Sequence, residues 1–297
     1  MKLLKKLWEK NKYALLFLSP WLIGIIFLGL IPMFASLYLS FTNYNMFEAP
    51  TWTGLGNYIE MFTLDGRFWQ SLKVTLIYVF VGVPLQLAMA FTIALILNRG
   101  VFGLSAFRAV YYIPSLIGPS VAIAILWRQV FGMEGMVNDV LSLFGIDGQS
   151  WVSDPSTALY TLIILLIWQF GSPMVIFLAG LKQIPMEMYE AASIDGANKF
   201  DQIIRITLPM ITPIIFFNLV MQIIGAFQAF TPAFIVGGES GGPLDSTLFY
   251  TLYLYIKAFT EFQMGYASAL AWILLIIIAV FTSLLFLSAR KWVHYES

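Results

Sequence analysis

The chain has 297 residues, of which 60% are hydrophobic, 16% aromatic and only 11% charged, with a mean hydropathy of +0.83. That balance excludes an ordinary soluble domain, where about a quarter of residues are charged. The formal net charge is zero and there is no cysteine, so disulfides, thiol catalysis and cysteine metal sites are excluded as well.

Taken in chain order, six stretches carry no charged side chain: residues 13–47, 74–98, 109–127, 155–181, 206–238 and 262–289. A helix needs roughly 20 apolar residues to cross a hydrocarbon core of about 30 Å, so each is long enough to span. Barrel strands would be far shorter and would alternate, and in lipid only helices or closed barrels satisfy the backbone. The fold class read from this pattern is an all-α integral membrane protein with six transmembrane helices. Residues 1–12 form an N-terminal segment, 13–289 the membrane domain with its core at about 70–289, and 290–297 a tail.

Five lysines, Lys2, Lys5, Lys6, Lys10 and Lys12, precede the first run. The run is too long for a signal peptide and lacks a clear small-residue cleavage site. Arg99, Arg108, Lys182, Lys199, Arg205, Arg290 and Lys291 fall on the same side as these lysines, which makes twelve; Arg67, Lys73, Arg128 and Lys257 fall on the other. The positive-inside rule then places both termini in the cytoplasm. The zero net charge says nothing about partners, because the asymmetry lies across the membrane.

Visible chemistry is sparse. The one histidine, His294, lies in the tail, and no His/carboxylate cluster or Ser/His/Asp set can be assembled around it. The glycine-rich stretch GGESGGPLD, residues 237–245, lacks the Lys-Ser/Thr pair of a phosphate-binding loop and reads as a turn on the outer side, before an amphipathic segment. The chain is therefore expected to be no enzyme and to hold neither metal nor cofactor.

One polar segment breaks the pattern: EAASIDGANKFDQIIRITLP, residues 190–209, between the fourth and fifth runs. Glu190, Ala191 and Ala192 favour a helix, Gly196 permits a sharp turn, and a second helical stretch leads through Ile206 and Leu208 to Pro209. A small-residue surface of this kind suits docking into a partner's groove, although charge alone would also fit a solvated connection. The spacing E-A-A, three residues, G, nine residues, I-x-L-P resembles the EAA loop in permease subunits of binding-protein-dependent ABC importers. FLSPWLIGIIFLGLIPMFASLYLSFTNY, FRAVYYIPSLIGPSVAIAILWRQVF and GGPLDSTLFYTLYLYIKAFTEFQMGYASA extend the resemblance along nearly the whole chain, to the maltose and glycerol-phosphate branch. It departs from the maltose-type larger subunit in having no long external insertion and no extra N-terminal spans.

The resemblance implies a type I ABC importer permease fold in a bacterial or archaeal cytoplasmic membrane. It implies a second, homologous permease subunit, two ATP-binding subunits that hold ATP and magnesium, and an extracytoplasmic solute-binding protein. It gives Glu190, Ala191, Ala192, Asp195, Gly196, Ile206, Leu208 and Pro209 the role of coupling this chain to the ATPase.

For the cargo, the runs offer amides, a hydroxyl and an aromatic rather than charge: Trp168, Gln169 and Ser172 in the fourth, then Asn218, Gln222 and Gln228 in the fifth. At about 100° per residue Asn218, Gln222, Gly225 and Gln228 share a sector of roughly 120°. An amide in hydrocarbon needs a partner, and either a sugar hydroxyl or a neighbouring helix can supply it. Trp168, in mid-span rather than at the interface, offers a stacking face for a sugar ring. Placement on either side of the EAA loop also matches the maltose-type sugar site. The expected function is ATP-driven uptake of a sugar or oligosaccharide by alternating access. The alternatives are a secondary, ion-coupled transporter, whose intramembrane carboxylates and inverted repeats are not visible, and an ABC permease for a polyol or glycerophosphate-type solute. Pro84, Pro114, Pro119, Pro173, Pro209 and Pro213 interrupt several spans, as static kinks or as hinges.

Overall fold

The computed structural model describes residue 13 and residues 16–98 and 103–294. The five N-terminal lysines and the rest of the 1–12 segment, Arg99 and the last three residues of the tail lie outside the described residues. Among the described residues, four helices are long and apolar enough to cross a membrane: Leu16–Leu39, Gly66–Leu97, Ala158–Leu181 and Met264–Trp292. Two more spans are bent pairs, Leu104–Ile117 with Val121–Val130 at 98° and Lys199–Met210 with Thr212–Phe227 at 67°. The six charge-free runs thus become four spans without a sharp bend, one of which, the fourth run, is interrupted at Gln169, and two bent ones.

Proline explains where the helices change pitch. A proline ring clashes with the carbonyl four residues earlier and donates no hydrogen bond to it. Pro32, Pro84 and Pro209 place that carbonyl at Leu28, Phe80 and Arg205, and each lies in a π-helical turn: Ile25–Leu30, Tyr78–Gly82 and Ile203–Thr207. The widened turn makes room for the ring without ending the helix. Pro119 acts more strongly, because the next residue, Ser120, is extended and its hydroxyl caps the new helix by accepting from the Ile123 amide at 3.4 Å. Pro114, by contrast, lies inside the helix Leu104–Ile117 without breaking it.

The chain divides into two units. The first comprises Met1–Leu64 and Lys257–Ile273. In it the first span leads into a two-stranded antiparallel hairpin, Thr42–Asn43 with Thr51–Trp52, and the short helix Gly56–Thr63. Asn57 Nδ2 donates to the carbonyls of Ser40 and Thr42 at 2.8 and 2.9 Å, which caps the end of the span.

The second unit comprises Asp65–Ile256 and Leu274–Ser297. Its core holds the fully buried Phe68, Val79, Leu162, Leu165, Met174, Phe177, Phe249 and Tyr250. Apolar burial gives little drive where lipid is the solvent, so the helices associate through close backbone approach at small residues. A Cβ on Gly82 would lie 2.7 Å from the Leu166 side chain, one on Gly180 would collide with Ile214, and one on Gly171 would collide with the Tyr111 carbonyl. These glycines hold the second, third, fourth and fifth spans against one another. The turn after the fifth span is fixed by a two-pronged ion pair: Arg67 Nε and Nη2 reach Asp245 at 3.0 and 2.8 Å, and Nη2 also reaches the Ser240 carbonyl at 3.0 Å.

Candidate functional site

Two features of the second unit concentrate polar groups. The first is the segment after the fourth span. Helix Met186–Ile194 ends at Asp195, and Gly196 follows with φ +82°. The Ala197 amide donates to the Ala192 carbonyl at 2.9 Å and the Gly196 amide to the Ser193 carbonyl at 3.1 Å. This is the Schellman termination, which requires a left-handed residue at the position that glycine occupies. Asn198 restarts the helix, its Oδ1 accepting from the amides of Phe200 and Asp201 at 2.9 and 3.0 Å. Gln202 Nε2 donates to Ser193 Oγ at 2.8 Å, and the Tyr189 and Thr207 hydroxyls share a hydrogen bond at 2.9 Å, so the two limbs are braced across the turn.

What the braced turn presents is apolar as well as charged. Glu190, Ala191, Asp195 and Gly196 are exposed, Ala192, Ile206, Leu208 and Pro209 half-buried. Ile194 is 87% exposed, with Met186 and Phe200 at 70% and 69%. The polar turn thus exposes three large apolar side chains beside its charges.

The second feature is a cavity of about 420 Å³ among the second to fifth spans. Volumes of roughly 300–1,000 Å³ are usual for small-molecule sites. Gln169, Ser172, Gln222, Gly225 and Gln228 line it, so the structure brings five of the seven expected path residues into one wall. It places the other two elsewhere. The Trp168 ring packs on Trp127, with centroids 5.7 Å apart, and Asn218 is buried outside the wall with neither amide atom paired among the described residues. The wall also holds Tyr78, Gln86, Ser115, Phe230 and Thr231, which sequence reasoning missed. Gln86 carried the same signal as Gln222, an amide inside a charge-free run. Among the described residues no charged side chain lines this cavity.

Its wall is built around a break in the fourth span. The helix stops at Trp168, Gln169 leaves helical geometry at φ −83°, ψ 30°, and helix resumes at Gly171. Pro173 cannot donate to the Gln169 carbonyl four residues back. Two side chains from other spans do so instead, Gln86 Nε2 at 3.1 Å and Ser115 Oγ at 2.9 Å, while the Ser172 amide donates to Ser115 Oγ at 2.8 Å. Ser172 also borders a second cavity of about 440 Å³ lined by Arg108, Ala109, Tyr112, Val175 and Ile176. Arg108 Nε is buried there without a hydrogen-bond partner among the described residues.

The family model for the binding-protein-dependent transport system inner membrane component matches residues 53–293. The chain belongs to this family. It is a multi-pass membrane permease of the ABC transporter class. Among curated relatives, the probable ABC transporter permease protein YesP of Bacillus subtilis (strain 168) is 54% identical, covering 100% of this chain and 96% of its own. The lactose transport system permease protein LacF of Rhizobium radiobacter is 33% identical over 97% of each chain. A crystal structure of a bacterial alginate ABC transporter, in complex with an alginate pentasaccharide-bound periplasmic protein, superposes with a TM-score of 0.82. It covers 96% of both chains at 21% identity, a likeness that speaks for the type I importer permease fold.

Proposed function

We propose that this permease is one half of the membrane pathway of an ATP-driven importer and that it passes a saccharide through the cavity lined by Gln169, Ser172, Gln222 and Gln228. The observation that carries this reading is the cavity itself, whose wall holds amides and hydroxyls but no charge. Sugar hydroxyls pair with amides, while a multivalent anion would call for arginine or lysine in the wall. Relatives named for transport of lactose and of arabinooligosaccharides agree with a saccharide cargo. Arg108, in the adjoining cavity, favours a second reading in which the saccharide carries a carboxylate.

In this proposal ATP hydrolysis belongs to two partner subunits, one of which seats on the turn at Gly196, where Glu190 and Asp195 supply charge and Ile194 a projecting side chain. A second homologous permease completes the pathway, and a solute-binding protein delivers the cargo from outside. The chain itself binds no cofactor. Residues 1–12 and 290–297 lie in the cytoplasm and flank the membrane domain at 13–289.

Gln222→Ala removes one neutral hydrogen-bonding group, worth about 1 kcal/mol or roughly fivefold in affinity. Uptake of a radiolabelled sugar by proteoliposomes holding the full complex should need about fivefold more sugar, while stimulation of the ATPase by the loaded binding protein persists. Unaltered uptake, or a complex that loses stability in step with lost uptake, contradicts the cavity reading. A uronate oligosaccharide preferred over neutral ones, with the preference lost in Arg108→Gln, would favour the acidic cargo.

Orientation is tested separately. The chain has no native cysteine, so Ser193→Cys and Ser153→Cys are single labels. A membrane-impermeant maleimide added to sealed cells should modify Ser153→Cys and spare Ser193→Cys. Equal labelling of both would reverse the assignment of sides.

A further inference from the structure

We propose that Gln86, on the second span, is a cargo-binding residue of this cavity that accepts a hydrogen bond from a saccharide hydroxyl. The inference rests on the cavity reading above and extends it to a span that neither flanks the coupling turn nor carries a residue of the expected path. Gln86 is only 2% exposed, yet it lines the cavity beside Gln169 and Ser172. Its orientation is set by chemistry. The Gln169 carbonyl, stripped of its helical donor by Pro173, is an acceptor only, so the group 3.1 Å from it must be the amide nitrogen. The amide oxygen therefore points away from that carbonyl, and Oε1 has no hydrogen-bond partner among the described residues. Buried polar atoms are nearly always paired, and leaving one unpaired is costly, so this oxygen calls for a donor from outside the protein.

The nature of the donor follows. With no carboxylate or phosphate partner in the wall, an ammonium group finds no countercharge. A carboxylate or phosphate brings only acceptors to an acceptor. A neutral hydroxyl fits, and it would be admitted when the spans shift between inward and outward states.

Cysteine protection tests this directly. Gln86→Cys and Gln222→Cys are made in the full complex, with cysteines of the partner subunits replaced, and treated with a small methanethiosulfonate reagent in the presence of lactose, maltose, arabinobiose or digalacturonate. The expected result is that a sugar protecting Gln222→Cys protects Gln86→Cys over the same concentration range. Protection of Gln222→Cys alone would overturn the role of Gln86 and leave the cavity reading standing; protection of neither by any probe would overturn both.

A second pair of variants covers the chance that the cysteine disturbs the clip on Gln169. The carboxyl introduced by Gln86→Glu has the length of the amide and, in its protonated form, one donor and one acceptor. It can then donate to the Gln169 carbonyl and keep a carbonyl oxygen for the cargo. For the protecting sugar, Gln86→Leu should raise the uptake KM about fivefold or more, and Gln86→Glu should stay within about twofold of the parent. Equal losses in the two variants would show that Gln86 only braces the fourth span.

Discussion

Gly196→Val is expected to abolish transport while leaving the chain inserted in the membrane. A β-branched side chain at φ +82° is strained by about 1–3 kcal/mol, and no neighbour lies close enough for a steric explanation to compete. The strain falls on the residue that lets the Ala197 and Gly196 amides close the preceding helix. To relieve it the turn must open, which pulls Gln202 from Ser193 and separates the two braced limbs. Glu190→Lys should act on the same surface by reversing an exposed charge without touching the backbone. Uptake and co-purification with the ATPase subunits are the readouts. Both variants transporting normally and retaining the ATPase would reduce the turn to a connection.

Gly171→Val should fail earlier, at assembly of the helices. An added Cβ meets the backbone carbonyl of Tyr111, which cannot rotate aside as a side chain can. Overpacking of this kind costs about 1–3 kcal/mol or more, and here it would separate the third span from the fourth just where Ser115 bonds across to Gln169 and Ser172. Gly180→Ala should be milder, because its obstacle is the far end of the Ile214 side chain. Gly24→Ala, in the first span with nothing within 4 Å, serves as the neutral control. Yield of folded protein from membranes and resistance of the purified complex to heating should rank the three in that order, Gly171→Val lowest. Equal behaviour of Gly171→Val and Gly24→Ala would contradict the packing described.

The contrast between these sites shows what a sequence can carry. Membrane crossing demands some 20 residues without charge, so the six spans were legible at once. Gly196 was legible too, because the residues before and after it favour helix and only a glycine joins them easily. The bends were not. Pro114 and Pro119 look alike in the sequence, yet one stays inside a helix and the other begins a turn of 98°. What decides is whether freed backbone groups find partners, and those come from distant residues, as Gln86 and Ser115 do for Gln169. The same dependence on neighbours explains the path residues. Helical periodicity grouped Asn218 with Gln222, but the cavity takes Gln222 and leaves Asn218 a turn away. Trp168 was legible as a mid-span aromatic, whereas its packing against Trp127 depends on the course of the third span after its break.

The central claim, that this chain is the permease half of an ATP-driven importer, is tested most directly by purifying the chain with an affinity tag from its native membrane in mild detergent and identifying what comes with it by mass spectrometry. The predicted result is a stoichiometric complex containing a second homologous permease and two copies of ATP-binding subunit, whose ATPase activity rises when a sugar-loaded binding protein is added. A chain that purifies alone, or in a complex without an ATP-binding subunit, and still supports uptake driven by an ion gradient would contradict it.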